Sequence, residues 1–216
     1  MKIKMLLVLF IMIIVPQFLT AKTNRSAKEQ QAYKEHRVFK ACIQDMECSD
    51  YMSNENIESL TATSTLKHPK KLYSSAMLLD NNPNTAWCEG VSGAGEKETL
   101  TVVFTQPTYV KKILLSPMYA KSKATMENNN RPKWVSVRFN GKIIELLIDK
   151  YLYNGCGEEE PCYELLDLQS WTLPKKLQEK PISKIELIID SVITGEKYND
   201  TCISELGFVK AEDSLK

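Results

Sequence analysis

Hydrophobic and polar residues alternate in short segments over most of the chain beyond Ile57. The segment "ETLTVVFT" (98–105) alternates and then becomes apolar, and "VKKILLS" (110–116) and "ISKIELIIDSVI" (182–193) follow the same style. A period of two is typical of strands that bury one face. Many short strands separated by Pro, Asn and Gly predict an all-β sandwich or barrel. Further strands are predicted at 59–66, 163–168 and 203–209.

Residues 133–148, "KWVSVRFNGKIIELLI", contain the strongest local signal. Asn140 and Gly141 lie between two apolar stretches, and Asn-Gly favours the two-residue turn that joins antiparallel strands. The sequence therefore predicts a β-hairpin at this position. Elsewhere, Gln106-Pro107 is expected to interrupt the sheet, and "YSSAMLL" (73–79) is moderately helix-like.

The beginning of the chain has the composition of a secretory signal peptide. Lys2 and Lys4 precede an apolar run at 5–15, Pro16 ends this run, and Ala21 offers a small residue for cleavage. The run is shorter than the roughly 20 residues that a membrane span needs. An uncleaved anchor is the alternative interpretation, and it would be the sole contact with a membrane.

A helix is predicted between the signal peptide and the strands. Within residues 26–43, "SAKEQQAYKEHRVFKACI", Ser26 and Glu29 have the S-x-x-E spacing of a capping box. The chain is thus expected to contain a signal peptide (1–21), an N-terminal helical segment with a small cysteine loop (22–56), and a β-sandwich domain (57–212).

All six cysteines lie beyond the signal peptide. An even number of cysteines after such a signal indicates disulfides in an oxidising compartment, so we expect a secreted, periplasmic or cell-surface protein. Two C-x5-C spacings favour Cys42–Cys48 and Cys156–Cys162, which leaves Cys88–Cys202 as a long-range pair. The sequence alone leaves the other connectivities open. A zinc site is the alternative, but neither a C-x2-C pair nor a nearby histidine supports it.

Charge and motifs argue against several classes of function. The 28 basic and 27 acidic residues nearly cancel, so no electrostatic footprint for nucleic acid is present. Local runs such as "KHPKK" (67–71) are interpreted as solvated loops. His36 and His68 lack a neighbouring nucleophile motif, and no facing pair of carboxylates stands out. "EGVSGAGE" (89–96) is not a dinucleotide-binding motif. We therefore expect no catalysis.

The stretch "LLDNNPNTAW" (78–87) carries the most suggestive set of oxygens. Asp80, Asn82 and Thr85 fit a stable polar turn, because such side chains bond to their own backbone. They also fit a calcium loop, since calcium takes 6–8 oxygen ligands. Glu205 would add charge if Cys88–Cys202 is a disulfide, because the bridge would hold the two segments together.

Three separated blocks carry a family resemblance: "STL" (64–66), "LLDNNPNTAWCEGVSGAGE" (78–96) and "GEKYNDTCISELGF" (195–208), with "NNNRPKWVSVRFNG" (128–141) between the last two. The chain resembles the discoidin, or factor V/VIII type C-like, galactose-binding-like domains over residues 57–210. It is most similar to the bacterial branch named after the NAD glycohydrolase translocation domain. In the segment "KKILLSPMYAKS" (111–122), which precedes the 128–141 block, Ser116-Pro117-Met118 stands where that branch usually has an Asn-Gly-Tyr turn.

The resemblance implies a discoidin-like jelly-roll β-sandwich that uses loops at one end to bind sugars, lipid head groups or protein surfaces. It also implies one structural Ca²⁺ held by Asp80, Asn82, Thr85 and Glu205. The NAD-cleaving activity in the name of the branch belongs to a separate catalytic domain. We therefore expect a secreted, non-enzymatic module that binds a glycan or another cell-surface molecule. A structural or adhesion component of the envelope that binds a protein is the alternative.

Candidate ligand contacts follow from side-chain chemistry. Exposed aromatic rings stack on the apolar faces of sugars, and Trp171 is expected to be exposed beside a Pro-Lys loop. Arg131 is suited to paired hydrogen bonds with an anionic ligand, with a surface ion pair as the alternative. The predicted ligand-binding residues are Glu89, Tyr119, Arg131, Tyr153 and Trp171. Trp87 is expected in the core.

Overall fold

The computed structural model describes residues 52, 54–82, 84–148 and 169–211. Several predictions lie outside these residues: the signal peptide, the helix near 26–43, the pairs Cys42–Cys48 and Cys156–Cys162, Tyr153, and the strand at 163–168. None of the helices in the described part of the chain has the length and hydrophobicity needed to cross a bilayer.

Antiparallel strands dominate the described residues, as the alternating pattern predicts. The strands are β1 (Ile57–Ala62), β2 (Trp87–Cys88), β3 (Thr99–Thr108), β4 (Val110–Ser116), β5 (Arg131–Phe139), β6 (Lys142–Leu147), β7 (Gln169–Thr172), β8 (Ile182–Ile193), β9 (Cys202–Ile203) and β10 (Glu205–Lys210). Short helices lie between them: α1 (Lys123–Asn128), α2 (Lys175–Gln178), and 3-10 helices at Asn54–Asn56 and Ser75–Leu79.

The strands form a sandwich around one apolar core. The larger sheet has the order β1-β3-β8-β5-β6, the smaller has the order β10-β4-β7, and β2 pairs with β9 beside them. Inward residues of the two larger sheets share one buried cluster. The rings of Phe104 and Phe208 meet edge to face across it, with centroids 5.3 Å apart. Trp87 is fully buried in this core, as predicted.

The predicted hairpin at Asn140-Gly141 is confirmed. Phe139 pairs with Lys142, and the two turn residues have positive φ angles of 47° and 68°. Asn and Gly adopt this left-handed region at low cost, which is why the dipeptide identifies the turn. The bounds predicted for β4 and β8 also agree with the structure.

The break predicted at Gln106-Pro107 is only partial, because β3 continues through both residues to Thr108. Its ladder with β8 is interrupted between Val103 and Thr108, since proline has no N–H to donate. Helix α1 was not predicted. Ser122 caps it through the backbone N–H of Thr125, and the Thr125 hydroxyl accepts from the backbone N–H of Ser122 in return. Threonine thus replaces the usual acid of the capping box.

Five connecting segments meet at one end of the sandwich, which we call the loop end: 63–74, 80–86, 89–98, 117–130 and 194–201. Strand β4 ends there and strands β3, β5 and β10 begin there. Backbone contacts join neighbouring segments. Gly90 is so close to the backbone of Thr65 that a Cβ would lie 2.4 Å from the Thr65 carbonyl oxygen.

The long-range disulfide Cys88–Cys202 is confirmed, and it joins two cysteines that face each other across β2 and β9. Tyr73, Tyr119 and Leu66 pack over it. The bridge spans 114 residues of sequence, so it links the beginning and the end of the domain.

Replacing both Cys88 and Cys202 by alanine is expected to lower the free energy of unfolding by about 2–5 kcal/mol, because a long loop in the unfolded chain is no longer closed. Urea denaturation followed by tryptophan fluorescence measures the change. An unchanged midpoint and slope would show that the bridge does not stabilise the domain.

Candidate functional site

The turn that begins at Asp80 is built from its own polar side chains. The Asp80 carboxylate accepts from the Asn82 N–H, with Oδ1 3.0 Å from the nitrogen. The Asn82 side-chain oxygen accepts from the Asn84 N–H at 3.0 Å. Asn81 has a φ of 52°, a conformation that asparagine tolerates better than most residues. These contacts are those of a stable polar turn.

The same turn also contains more acceptor oxygens than N–H and O–H groups that can donate hydrogen bonds to them. The Thr85 hydroxyl oxygen lies 2.9 and 2.8 Å from the two carboxylate oxygens of Asp80, and 2.7 Å from the carbonyl oxygen of Asn82. A hydroxyl has a single proton to donate, so it satisfies one of these three acceptors at a time. The cluster is therefore rich in oxygen and short of hydrogen-bond donors.

Glu205 adds a second carboxylate to this cluster, as the sequence predicted. It begins β10 with its side chain 4% exposed, and its Oε1 accepts from the Asn82 N–H at 2.7 Å. That N–H also donates to Asp80, so the carboxylates of Asp80 and Glu205 share one donor. The β2–β9 pairing and its disulfide bring the two segments together across 123 positions of sequence.

The pKa of Glu205 is raised to about 8, mainly by burial and also by the negative charge of Asp80, against the lowering effect of the Asn82 and Asn81 N–H groups. A buried carboxylate beside another carboxylate is unfavourable unless a proton or a cation compensates the charge. The site therefore favours either a proton on Glu205 or a positive ion among its oxygens.

Glu89, predicted to contact a ligand, is instead a buried structural residue. Its carboxylate accepts from the backbone N–H groups of Val91 at 2.8 Å and Thr201 at 3.2 Å. Gly95 covers it, and a Cβ at Gly95 would lie 2.4 Å from the Glu89 side chain. Burial raises the pKa of Glu89, and these two N–H groups oppose the shift. The glycine-rich segment thus folds over this acid and joins it to the 194–201 segment.

The prediction that Trp171 is exposed is wrong. Trp171 lies in β7, the edge strand that pairs with β4 in the smaller sheet, and is 2% exposed. Tyr119 is also buried, because its ring packs edge to face on Tyr73 and its hydroxyl donates to the Asn84 carbonyl at 3.3 Å. Neither ring is available for stacking on a sugar. Arg131 is partly exposed at the start of β5, at the loop end, and its role stays a prediction.

The exposed aromatic ring of the loop end is Tyr198, which the sequence reasoning missed. Its side chain is 46% exposed, and the ammonium group of Lys197 lies 5.2 Å from the centre of its ring. Its backbone N–H donates to the Asn128 carbonyl at 2.7 Å, which fixes the segment. A neighbouring polar run, Lys197 to Asp200, was the available signal for an exposed position.

Residues 50–209 match the sequence profile of the NAD glycohydrolase translocation F5/8 type C domain. The chain belongs to this family. The resemblance stated from the three sequence blocks is thereby confirmed, and the match begins seven positions before the predicted boundary at Ile57. Met52 is consistent with the earlier start, because it is buried in the core and its N–H donates to the Phe208 carbonyl at 2.8 Å.

Solved structures of carbohydrate-binding modules are similar to this F5/8 type C domain. The CBM32-1 and CBM32-2 domains of Clostridium perfringens ZmpB match with a TM-score of 0.51 and 14% identity, over 77% of this chain and 38% of theirs. A longer ZmpB structure that includes the M60 catalytic domain gives 0.49 and 13%, over 76% of this chain and 15% of that one. The family 32 CBM from C. perfringens NanJ, in complex with galactose, matches with a TM-score of 0.45 and 18% identity, over 74% of this chain and 97% of its own. No curated protein is significantly similar to the chain.

The oxygens at the F5/8 type C domain's Asp80 turn fit a calcium ion. The oxygen atoms available as metal ligands come from two carboxylates, an amide, a hydroxyl and a backbone carbonyl, all of which are hard ligands. No group of three or more His, Cys, Asp or Glu side chains suited to a metal occurs among the described residues, so this set has just two charged ligands. The residues that would hold the ion are Asp80, Asn82, Thr85 and Glu205.

In metal-free protein, the free energy of unfolding is expected to fall as the pH rises toward 8. The unfolded Glu205 carboxyl ionises at its ordinary pKa of 4.5, whereas the folded one keeps its proton to about 8. The contribution is therefore complete below the unfolded pKa and is lost as the pH rises through the folded pKa.

Urea denaturation in EDTA at several pH values between about 4 and 9 tests this, by comparing wild type with Glu205→Gln. The difference between the two proteins should shift in favour of the variant as the pH rises. A difference that is constant with pH would contradict the assignment to Glu205.

Proposed function

We propose that this F5/8 type C domain is a secreted, non-enzymatic binding module that recognises a glycan at its loop end. The observation that carries the proposal is the exposed ring of Tyr198 on a segment fixed by backbone hydrogen bonds. An exposed tyrosine offers an apolar face for a sugar ring together with a polar hydroxyl.

The segment that carries Tyr198 is held by a buried amide. Asn130 is 1% exposed, and its side-chain nitrogen donates to the Asn199 carbonyl at 2.7 Å. Its side-chain oxygen accepts from the Gly195 N–H at 2.8 Å. A ligand surface held in this way loses little conformational entropy on binding, which favours recognition of small sugars. Loops on a rigid β scaffold are also where binding residues concentrate.

The fold supports the same proposal at a general level. The chain shares its fold with the CBM32 domains of ZmpB, although it spans less than two fifths of the matched ZmpB chains. Secretion is proposed from the signal-peptide composition of residues 1–21 and from the Cys88–Cys202 disulfide, which forms in oxidising compartments. Binding without catalysis is proposed because both predicted acids near the loop end, Glu89 and Glu205, serve the fold itself.

We also propose that a structural Ca²⁺ is held by Asp80, Asn82, Thr85 and Glu205. The ion would supply the positive charge that two neighbouring carboxylates require. It would thereby fix the 80–86 segment to the start of β10. In this proposal the ion stabilises the loop end and does not contact the glycan.

Tyr198→Ala is expected to weaken binding of an array-identified glycan about tenfold, because the stacking face is removed. Tyr198→Phe should retain most of the affinity, since the ring is kept. Tyr109 provides a matched control: it is 39% exposed and lies between β3 and β4, at the opposite end of the sandwich. Isothermal titration calorimetry of the three variants measures the effect.

Equal loss in Tyr198→Ala and Tyr109→Ala would contradict a site at the loop end. Absence of binding to any glycan, together with specific capture of one envelope protein, would favour the alternative of an adhesion or structural component.

Adding EDTA is expected to lower the melting temperature of wild type but not of Glu205→Gln. A ligand at 100 times its Kd stabilises the folded state by about 2.7 kcal/mol, so removal of calcium at that saturation should give a clear shift. Glu89→Gln serves as the control, because Glu89 is buried but bonds to Val91 and Thr201 rather than to the Asp80 turn. Differential scanning calorimetry with EDTA and then excess CaCl₂ measures the response. A wild type that EDTA does not change would leave the segment as a polar turn.

A further inference from the structure

A tight turn at residues 67–71 projects lysines from the loop end. His68 and Lys71 are paired across the turn, and the His68 side-chain Nδ1 accepts from the Lys70 N–H at 3.1 Å. Lys67, Lys70 and Lys71 are all exposed, and Leu72 beside them is 66% exposed. The turn thus presents three cations and one apolar side chain to solvent.

The side chains of this turn are exposed, as the sequence predicted for 67–71, and its backbone is also tied to the disulfide-bonded strand. The Leu66 N–H donates to the Cys88 carbonyl at 2.9 Å, and the Cys88 N–H donates to the Tyr73 carbonyl at 3.4 Å. The chain entering the turn and the chain leaving it therefore both bond to β2. The His68 ring also meets the Tyr73 ring edge to face, with centroids 6.3 Å apart. The lysines consequently start from a fixed backbone.

A fourth cation comes from a neighbouring segment. The rings of Tyr73 and Tyr119 contact each other with centroids 6.1 Å apart, which joins the turn to the segment that contains Lys121. The Ala120 N–H donates to the Ser204 hydroxyl at 2.9 Å, so this segment is anchored as well. Lys121 is exposed. We call the set of Lys67, Lys70, Lys71 and Lys121 the lysine patch.

The charges of the lysine patch are not neutralised within the described residues. Two ion pairs of the described residues join Glu186 to Arg138 and Lys184, close to the Asn140-Gly141 hairpin at the opposite end of the sandwich. Asp80 is the nearby acid on the 80–86 segment, and it bonds to Asn82 and Thr85 of its own turn. The 67–71 turn itself contains three lysines and no acid, whereas the exposed acids Glu96, Glu127 and Glu196 lie on other segments of the loop end.

We propose that the ligand of the loop end is an anionic glycan whose carboxylate or sulfate groups bind the lysine patch. This inference rests on the proposed glycan-binding function and specifies the class of sugar. Ammonium groups form charge-assisted hydrogen bonds with carboxylate and sulfate oxygens, and these are stronger than neutral ones. Three lysines on a fixed turn and one on an anchored neighbour match the repeated charges along an acidic polysaccharide. Leu72 supplies an apolar contact between them.

Binding to heparin, hyaluronan and neutral dextran tests the proposal on the full mature chain, by biolayer interferometry. Heparin presents sulfates and carboxylates, hyaluronan presents carboxylates alone, and dextran presents neither. We expect binding to at least one acidic polysaccharide and none to dextran. The affinity should fall between roughly 50 and 300 mM NaCl, because salt screens exposed charges over a Debye length of about 10 Å or less.

Lys70→Glu/Lys71→Glu should weaken binding to the acidic polysaccharide tenfold or more, given the usual strength of about 1.5–3 kcal/mol for a hydrogen bond to a charged group. Lys175→Glu/Lys176→Glu is the matched control. It makes the same charge change on two exposed lysines of α2, at the opposite end of the sandwich. Thermal denaturation should show both variants folded, since all four side chains are exposed.

Two results would overturn the proposal in distinguishable ways. Binding to neutral glycans that Lys70→Glu/Lys71→Glu leaves unchanged would refute the anionic ligand and keep the proposed function. Failure to bind any acidic or neutral glycan would refute both. Phosphatidylserine vesicles provide a further arm, because they offer the same negative charge. Lysine-dependent binding to these vesicles without binding to acidic polysaccharides would reassign the patch to a membrane surface.

Discussion

The pairing of β2 with β9, closed by the Cys88–Cys202 disulfide, is the contact on which the loop end depends. On one side of this pair, the chain on both sides of the lysine turn bonds to Cys88. On the other side, Asn130 pairs with the chain at Thr201, and the Cys202 N–H donates to the Asn130 carbonyl at 3.1 Å. The 63–74 and 117–130 segments are therefore held in place by two short strands. The disulfide links the two strands covalently although their cysteines lie 114 positions apart in the sequence.

Two buried glutamates flank this pair and illustrate opposite solutions to the same problem. Glu89 is surrounded by backbone N–H groups, which compensate its charge and make it a link between two segments. Glu205 also accepts from backbone N–H groups, those of Asn82 and Asn81, but the Asn82 N–H is shared with the carboxylate of Asp80. Removing a carboxylate from water is costly in either case. The Asp80 carboxylate, which bonds to the same N–H as Glu205, makes this second acid part of a candidate cation site.

The surface chemistry of the loop end follows from the same framework. Tyr198 and the lysine patch lie on segments whose backbones are bonded to the β2–β9 pair or to its neighbour Asn130. Aromatic and cationic side chains on such a support can present a fixed pattern to a ligand. The rings of Tyr73 and Tyr119, by contrast, pack over the disulfide. The aromatic residues of the loop end are thus divided between supporting the site and facing solvent.

Much of the fold was readable from local patterns, because alternation and turn residues act over a few positions. The Asn140-Gly141 hairpin and strands β4 and β8 are examples. Helix α1 was missed because Thr125 takes the place of an acidic capping residue. Trp171 was misjudged because proximity to a Pro-Lys loop says nothing about which sheet face a side chain occupies. Tyr198 was overlooked although the polar run around it, Lys197 to Asp200, is a signal for an exposed position.

The sequence by itself determined the antiparallel β class and the family resemblance, and it suggested Cys88 and Cys202 as a pair among other connectivities. It also indicated that Glu205 would approach the Asp80–Thr85 loop, since Thr85 and Glu205 each lie three positions from a cysteine of that pair. Only the tertiary structure decided that the carboxylates of Asp80 and Glu205 share one N–H and that Glu89 is enclosed beneath Gly95. It also decided that the segment containing Lys121 contacts the chain after the 67–71 turn, through the rings of Tyr119 and Tyr73. Burial and charge compensation depend on groups that are distant in sequence, and the folded chain alone brings those groups together.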